Sequence, residues 1–279
     1  MPAFWAASYR GRRPAAVYGA LRCRPHDRRA AASIRERPWR NLLPLSVRRR
    51  SFAVLPLILL LAPGCGFVRD VAAQQNPSPS PAPAGSITAE LATLQVVAGR
   101  KSARGYDRGC GKAEACSFGP AWSDNHNGPG GHDGCDTRNN VLSRQLAQVT
   151  YKAGRKQCVV LSGQLLEPYT GKQVQFRKAE ASKVQIDHIY PLARAWDLGA
   201  SNWPLQRRVD FANDLTDNLL AVDGSANASK SDQGPGEWLP INKAYRCTYV
   251  LRYLHVANKY DLPITRDDQQ SAKVIARTC

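Results

Sequence analysis

The chain has 279 residues, enough for one sizeable domain with extensions, and is 43% hydrophobic with a formal charge of +17. That charge is uneven: residues 1–65 hold 13 Arg against only Asp27 and Glu36, which leaves +6 for residues 66–279. Overall basicity therefore cannot by itself be taken as evidence for a nucleic-acid partner, because a mild positive excess is ordinary for a soluble domain.

Residues 1–46 are rich in Arg, Ala and Pro and show no periodicity, and Met1 is the sole methionine. They are expected to be untranslated or disordered, with translation beginning near Val47. Residues 47–65 read as an export signal: Arg48, Arg49 and Arg50 precede an apolar run from Phe52 to Ala62 that is too short to span a bilayer. Arg49-Arg50-Ser51-Phe52 also fits a twin-arginine pattern. Leu61-Ala62-Pro63-Gly64-Cys65 resembles a lipobox, which makes Cys65 a candidate for lipidation and a membrane tether. A Pro/Ser-rich linker over 66–86 should be extended. The expected location is outside the cell, released or attached to the outer face of the membrane.

The folded domain is placed at 87–279. Leu91, Leu94 and Val97 suggest a short helix. Residues 104–136 are Gly-rich and irregular. Asp136 or Thr137 should cap a helix reaching Tyr151, with Val141, Leu142, Leu146 and Val149 on one face. Strands follow over Cys158–Leu166 and Lys172–Arg177, joined by Glu167-Pro168-Tyr169-Thr170-Gly171. Val184–Ile189 is a further strand. Ala193–Leu198 and Leu205–Asn213 read as helices, Asn218–Val222 as a strand, Ser225–Ser231 as a helix start, and Ala244–Tyr260 as a long helix. Short strands mixed with helices indicate an α+β fold.

Six cysteines fall in this domain, at Cys110, Cys116, Cys135, Cys158, Cys247 and Cys279. In an oxidising compartment six suggest three disulfides; about 15 pairings are open and sequence does not choose among them, with Cys110–Cys116, Cys135–Cys158 and Cys247–Cys279 taken as the working set. None has the CxxC spacing of a zinc site.

The chemistry-bearing segment is Asp187-His188-Ile189-Tyr190-Pro191, followed by Asp217-Asn218-Leu219 and Asn227-Ala228-Ser229-Lys230. Taken singly, each piece has a bland explanation: a surface His beside a capping Asp, a helix cap at Asn227, a solvated Lys230. Together they supply oxygen ligands for a hard cation and a base that titrates near neutral pH. The ordered set resembles the HNH endonucleases, including the HNH domain of CRISPR effector nucleases, and more narrowly exported bacterial HNH proteins. Gly134–Asn139, Pro168–Gly171, Phe211–Leu215 and Glu237–Pro240 extend the resemblance, which covers roughly 104–260.

The resemblance implies a ββα-metal core over 184–232 and a set of roles. His188 would be the general base, and Asp187 and Asn227 the ligands of one divalent cation, Mg²⁺ or alternatively Mn²⁺. Asn218 would order the loop and orient His188, with Asn213 a second candidate for that place. Lys230 would contact phosphate, and Arg138 would approach the substrate. The expected activity is hydrolysis of DNA with low sequence specificity by a monomer, giving 5′-phosphate and 3′-hydroxyl ends. His126, His132 and Asp133 could form a second metal site but read more simply as exposed loop residues. Trp196, Trp203 and Trp238 could stack on bases but read more simply as core. The competing functions are a non-catalytic envelope or interaction protein with the same fold, and a phosphodiesterase acting on RNA or small nucleotides.

Overall fold

The computed structural model describes residues 84–109, 116–154 and 156–279. The chain divides into two units, Met1–Phe67 and Val68–Cys279, and every described residue belongs to the second. The export signal, Cys65 and Cys110 lie outside the described residues, as does the linker up to Pro83. Among the described residues no helix is long and apolar enough to cross a membrane.

The fold is α+β. Helix α1 (Ala84–Thr93) opens the described part and leads into a two-residue strand β1 (Val96–Val97). After the Gly-rich loop, α2 (Thr137–Gln145) starts from Asp136, whose carboxylate accepts the Asn139 N–H. The expected extension of this helix to Tyr151 is corrected: it stops at Gln145, and β2 (Ala147–Tyr151) follows. Val149, Thr150 and Tyr151 are β-branched or aromatic, and pairing with β3 (Val160–Leu166) satisfies a backbone that weak helical propensity would not hold. Strand β4 (Gln173–Arg177) completes a three-stranded antiparallel sheet in the order β2-β3-β4.

Strand β5 (Val184–His188) leads into α3 (Leu192–Asp197) and α4 (Leu205–Ala212) before the chain returns as β6 (Leu219–Asp223). β5 and β6 pair antiparallel, with Asp187 opposite Leu220 and His188 opposite Leu219. Helix α5 (Gly224–Lys230) follows at once, capped by Asp223, and packs on both strands. Gly224 is required there, since a Cβ would lie 2.1 Å from the Ser182 carbonyl oxygen.

This small sheet is buried on both faces. Val184, Ile186, Leu219 and Ala221 enter a cluster with Val141, Leu142, Val160 and Phe176. The alternate residues Leu220 and Val222 enter the larger cluster built around α6 (Arg246–Lys259). Period-two alternation thus divides one pair of strands between two cores. The free edge of β6 is closed by a side chain: Gln145 Oε1 accepts the Ala221 N–H at 2.7 Å and its Nε2 donates to Leu219 O at 3.1 Å.

The chain ends in β7 (Ile264–Thr265), which pairs parallel with β1, and α7 (Arg266–Ala276). Disulfides Cys135–Cys158 and Cys247–Cys279 join the expected partners. Cys116 is also disulfide-bonded.

Candidate active site

The alternation of β5 sends Asp187 and His188 to opposite faces, and each meets a different set of partners. Asp187 turns toward the α6 core. Its Oδ2 accepts the Tyr169 hydroxyl at 2.5 Å and its Oδ1 accepts Lys230 Nζ at 2.9 Å. Lys230 also donates to the His188 carbonyl at 2.9 Å, so the last turn of α5 is tied to both motif residues. Lys230 is wholly buried and Asp187 is 4% exposed. Burial raises the Asp187 carboxyl and lowers the Lys230 ammonium, while each partner's charge opposes that trend.

Tyr169 is aimed by the turn that carries it. The Glu167 carboxylate accepts the Tyr169 and Thr170 N–H groups and the Thr170 hydroxyl, and Gly171 supplies the left-handed conformation that closes the turn. Asn242 holds the same turn from outside through Pro168 O and Tyr169 O. The Tyr169 hydroxyl is raised well above its ordinary pKa, first by burial and then by the Asp187 charge, so it remains a donor.

His188 takes the other direction. Its Nε2 lies 2.8 Å from the Ala212 carbonyl at the end of α4. A carbonyl only accepts, so Nε2 carries the proton and Nδ1 keeps the lone pair. Nδ1 has no hydrogen-bond partner among the described residues. The Trp122 indole lies nearly parallel to the imidazole, with centroids 6.0 Å apart and planes 13° apart. The expected titration near neutral pH is corrected: burial pushes the His188 pKa down to about 3, which leaves the ring neutral.

Asn218 occupies the base of this arrangement and is completely buried. Its Oδ1 accepts the Tyr190 N–H at 2.9 Å, and its main-chain oxygen accepts the Ile189 N–H. The turn after His188 is therefore built on Asn218. Asn213, the second candidate for the middle position, donates to Val209 O and not to His188, and its Oδ1 is buried without a hydrogen-bond partner among the described residues. Asn227 donates its amide to Gln185 Oε1 at 2.9 Å, which leaves its carbonyl oxygen available.

Asp187, His188 and Asn227 line one pocket of about 380 Å³ together with Tyr106, Arg108, Gln185 and Asp232. The donor set in it, a carboxylate and an amide carbonyl, suits a hard divalent cation. A carboxylate that accepts one bond on each oxygen still has lone pairs to offer. Among the described residues no group of three or more His, Cys, Asp or Glu could hold a metal, so such an ion would keep much of its water.

The remaining expected residues stand elsewhere. Arg138 donates to Ala181 O and Val184 O and lines a separate pocket with Trp122, Asp136 and Lys178. His126 is buried rather than exposed, and both of its ring nitrogens lack hydrogen-bond partners among the described residues. Trp196 is buried, and Trp203 and Trp238 pack partly buried against the same core, as the simpler reading of them expects. Tyr169, Trp122, Arg108 and Gln185 were not singled out from sequence. A Tyr on a β-turn and a Trp in a Gly-rich loop carry no periodic signal.

The profile of a family described as "GmrSD restriction endonucleases, C-terminal domain" matches residues 136–271. That span includes Asp187, His188, Asn218, Asn227 and Lys230 and excludes Tyr106, Arg108 and Trp122. A protein of Arthroderma benhamiae named "Uncharacterized secreted protein" is 37% identical over 146 residues, which is 52% of this chain and 68% of that protein. No solved structure matches the chain.

Proposed function

The chain belongs to the family that carries the GmrSD restriction-endonuclease C-terminal domain, and on that premise we propose that it is an exported, metal-dependent endonuclease that hydrolyses DNA phosphodiester bonds. One observation carries this reading: Asp187, Asn227 and a His188 fixed in a single tautomer share one polar pocket. A structural or docking role would need neither the fixed tautomer nor the unpartnered Nδ1. The β5-β6-α5 unit is read as a ββα-metal site, and the secreted relative supports export.

In the proposed reaction, Nδ1 of His188 removes a proton from a water that attacks phosphorus. The P–O3′ bond breaks, leaving a 5′-phosphate and a 3′-hydroxyl. The neutral imidazole has the protonation state a base requires, and the Ala212 carbonyl stabilises the imidazolium as it forms. Mg²⁺ or Mn²⁺ held by Asp187 and Asn227 would offset charge on the phosphate and the leaving oxygen. Lys230 opposes the upward push of burial on the Asp187 carboxyl and holds it in place, and Asn218 sets the turn that orients His188.

The test is incubation of the purified chain with plasmid DNA and Mg²⁺ or Mn²⁺, with and without chelator, and with RNA as a second substrate. Metal-dependent cleavage is expected, with a loss of about 10²–10⁴ in rate for His188→Ala and unchanged metal binding. Parental rates for His188→Ala would remove His188 from the mechanism.

A further inference from the structure

His188 has a second chamber beside it. Tyr106, Phe118, Pro120, Trp122 and Leu192 line a recess of about 150 Å³ that meets the polar pocket along Tyr106, Arg108, His188 and Leu192. One chamber holds the carboxylate and amide oxygens, whereas the other is walled mainly by aromatic and aliphatic groups, with Asp107, Arg108 and His188 as its charged or polar members. The loop that forms it is fixed in an unusual shape. Trp122 stands at φ 55°, a left-handed conformation that bulky residues avoid. Its carbonyl accepts the Thr137 N–H. At Gly119, a Cβ would lie 2.4 Å from Val209 of α4.

The recess is lined mainly by apolar groups, with Asp107, Arg108 and His188 among its lining residues, so a phosphate that entered it fully would lose water against few donors. It accepts a nucleobase, whose faces stack on aromatic rings without regard to sequence. Arg108 lies at the seam of the two chambers. It is exposed and has no ion-pair or hydrogen-bond partner among the described residues, so its guanidinium is available to an incoming phosphate. A base stacked inside a duplex cannot enter a recess.

We infer that this second chamber is a nucleobase subsite, which takes one unstacked base of an unpaired strand while the phosphate of the same nucleotide lies in the polar pocket. The inference rests on the nuclease reading and names its substrate class: single-stranded nucleic acid, or duplex with a base swung out.

The test uses the purified full chain with Mg²⁺ or Mn²⁺ and an oligodeoxynucleotide of mixed sequence. It is supplied as a single strand, as its duplex, and as a set of single strands each with one base replaced by an abasic residue. The single strand should be cut at least about tenfold faster than the duplex. An abasic residue at one fixed position relative to the cut should slow cleavage about tenfold, the effect of losing one stacked base. Trp122→Leu should make that abasic strand and the intact strand equivalent. The abasic scan uses the unaltered protein, so it decides the matter even if Trp122→Leu does not fold. Cleavage of single strand and duplex at equal rates, or a single-strand preference with no abasic effect at any position, overturns the subsite and leaves the nuclease reading intact. Absence of cleavage on every substrate overturns both.

Discussion

Lys230 and Asp187 form an ion pair sealed from solvent: Nζ stands 2.9 Å from Oδ1, with the lysine wholly buried and the aspartate nearly so. The two come from different elements, the end of α5 and the end of β5, and a single ammonium also holds the His188 carbonyl. A buried pair of this kind is sensitive to loss of one member, since the survivor is left charged or must take up a proton.

Lys230→Met should therefore destabilise the domain by about 3–5 kcal/mol. Under the proposed function Mn²⁺ replaces part of the missing positive charge, so adding Mn²⁺ should raise the melting temperature of Lys230→Met more than that of the parent. Differential scanning fluorimetry with and without Mn²⁺ checks this. Equal shifts in the two proteins would mean that the cation does not replace the lost ammonium charge.

The depressed pKa of His188 carries a stability signature. The unfolded chain holds a histidine of pKa about 6.5, while the folded one stays neutral until about pH 3. Between those values the unfolded state binds more protons, so stability falls as pH falls, by about 1.4 kcal/mol for each pH unit from this residue. Denaturant unfolding in chelator from pH 7 to pH 4 should show the parent losing its advantage over His188→Asn. Parallel curves for the two would contradict the burial of a neutral imidazole.

Asn218→Ala removes the acceptor of the buried Tyr190 N–H. A loss of about 1–3 kcal/mol is expected for a donor left unpaired. Because the same turn directs His188, DNA cleavage should drop by more than stability predicts when both proteins are assayed well below their melting temperatures. An activity equal to the parent would make Asn218 purely structural.

The Cys247–Cys279 bridge closes a sequence separation of 32 residues between α6 and the segment after α7. The double substitution Cys247→Ala/Cys279→Ala should cost about 2–4 kcal/mol in urea unfolding. No change on substitution would show that the packing of α6 and α7 alone suffices.

Much of the fold was legible because its signals are local. Strand β5 and the helices after it follow from apolar spacing, and the Asp136 cap from residue type and position, whereas the cysteine pairing is left open by the sequence and is settled for two pairs by the fold. Strand β2 was misread because Val149 continues the helical stripe of α2, and only pairing with β3 distinguishes the two states. Strand β7 and α7 escaped notice despite a local mark, the capping box of Thr265 and Asp268.

The site divides in the same way. Asp187, His188, Asn218 and Asn227 could be named because their ordered pattern resembles the HNH endonucleases. The tyrosine that donates to Asp187 and the tryptophan beside His188 come from segments distant in sequence. Nothing in a turn tyrosine or a loop tryptophan reveals which carboxylate or ring it will meet. Lys230 was read as a phosphate contact. Its burial against Asp187 depends on how α5 seats on the strands, which spacing does not encode.

The group that fixes the His188 tautomer is a main-chain oxygen, that of Ala212. Any amino acid supplies that oxygen, so a substitution at position 212 would test how its side chain packs against the core and not the acceptor itself, and an alanine scan would pass over it. Only an edit to the backbone itself, such as an ester in place of the amide between residues 212 and 213, would weaken that acceptor while leaving every side chain in place. Part of the proposed site is thus recorded in the path of the polypeptide and leaves no trace in its alphabet.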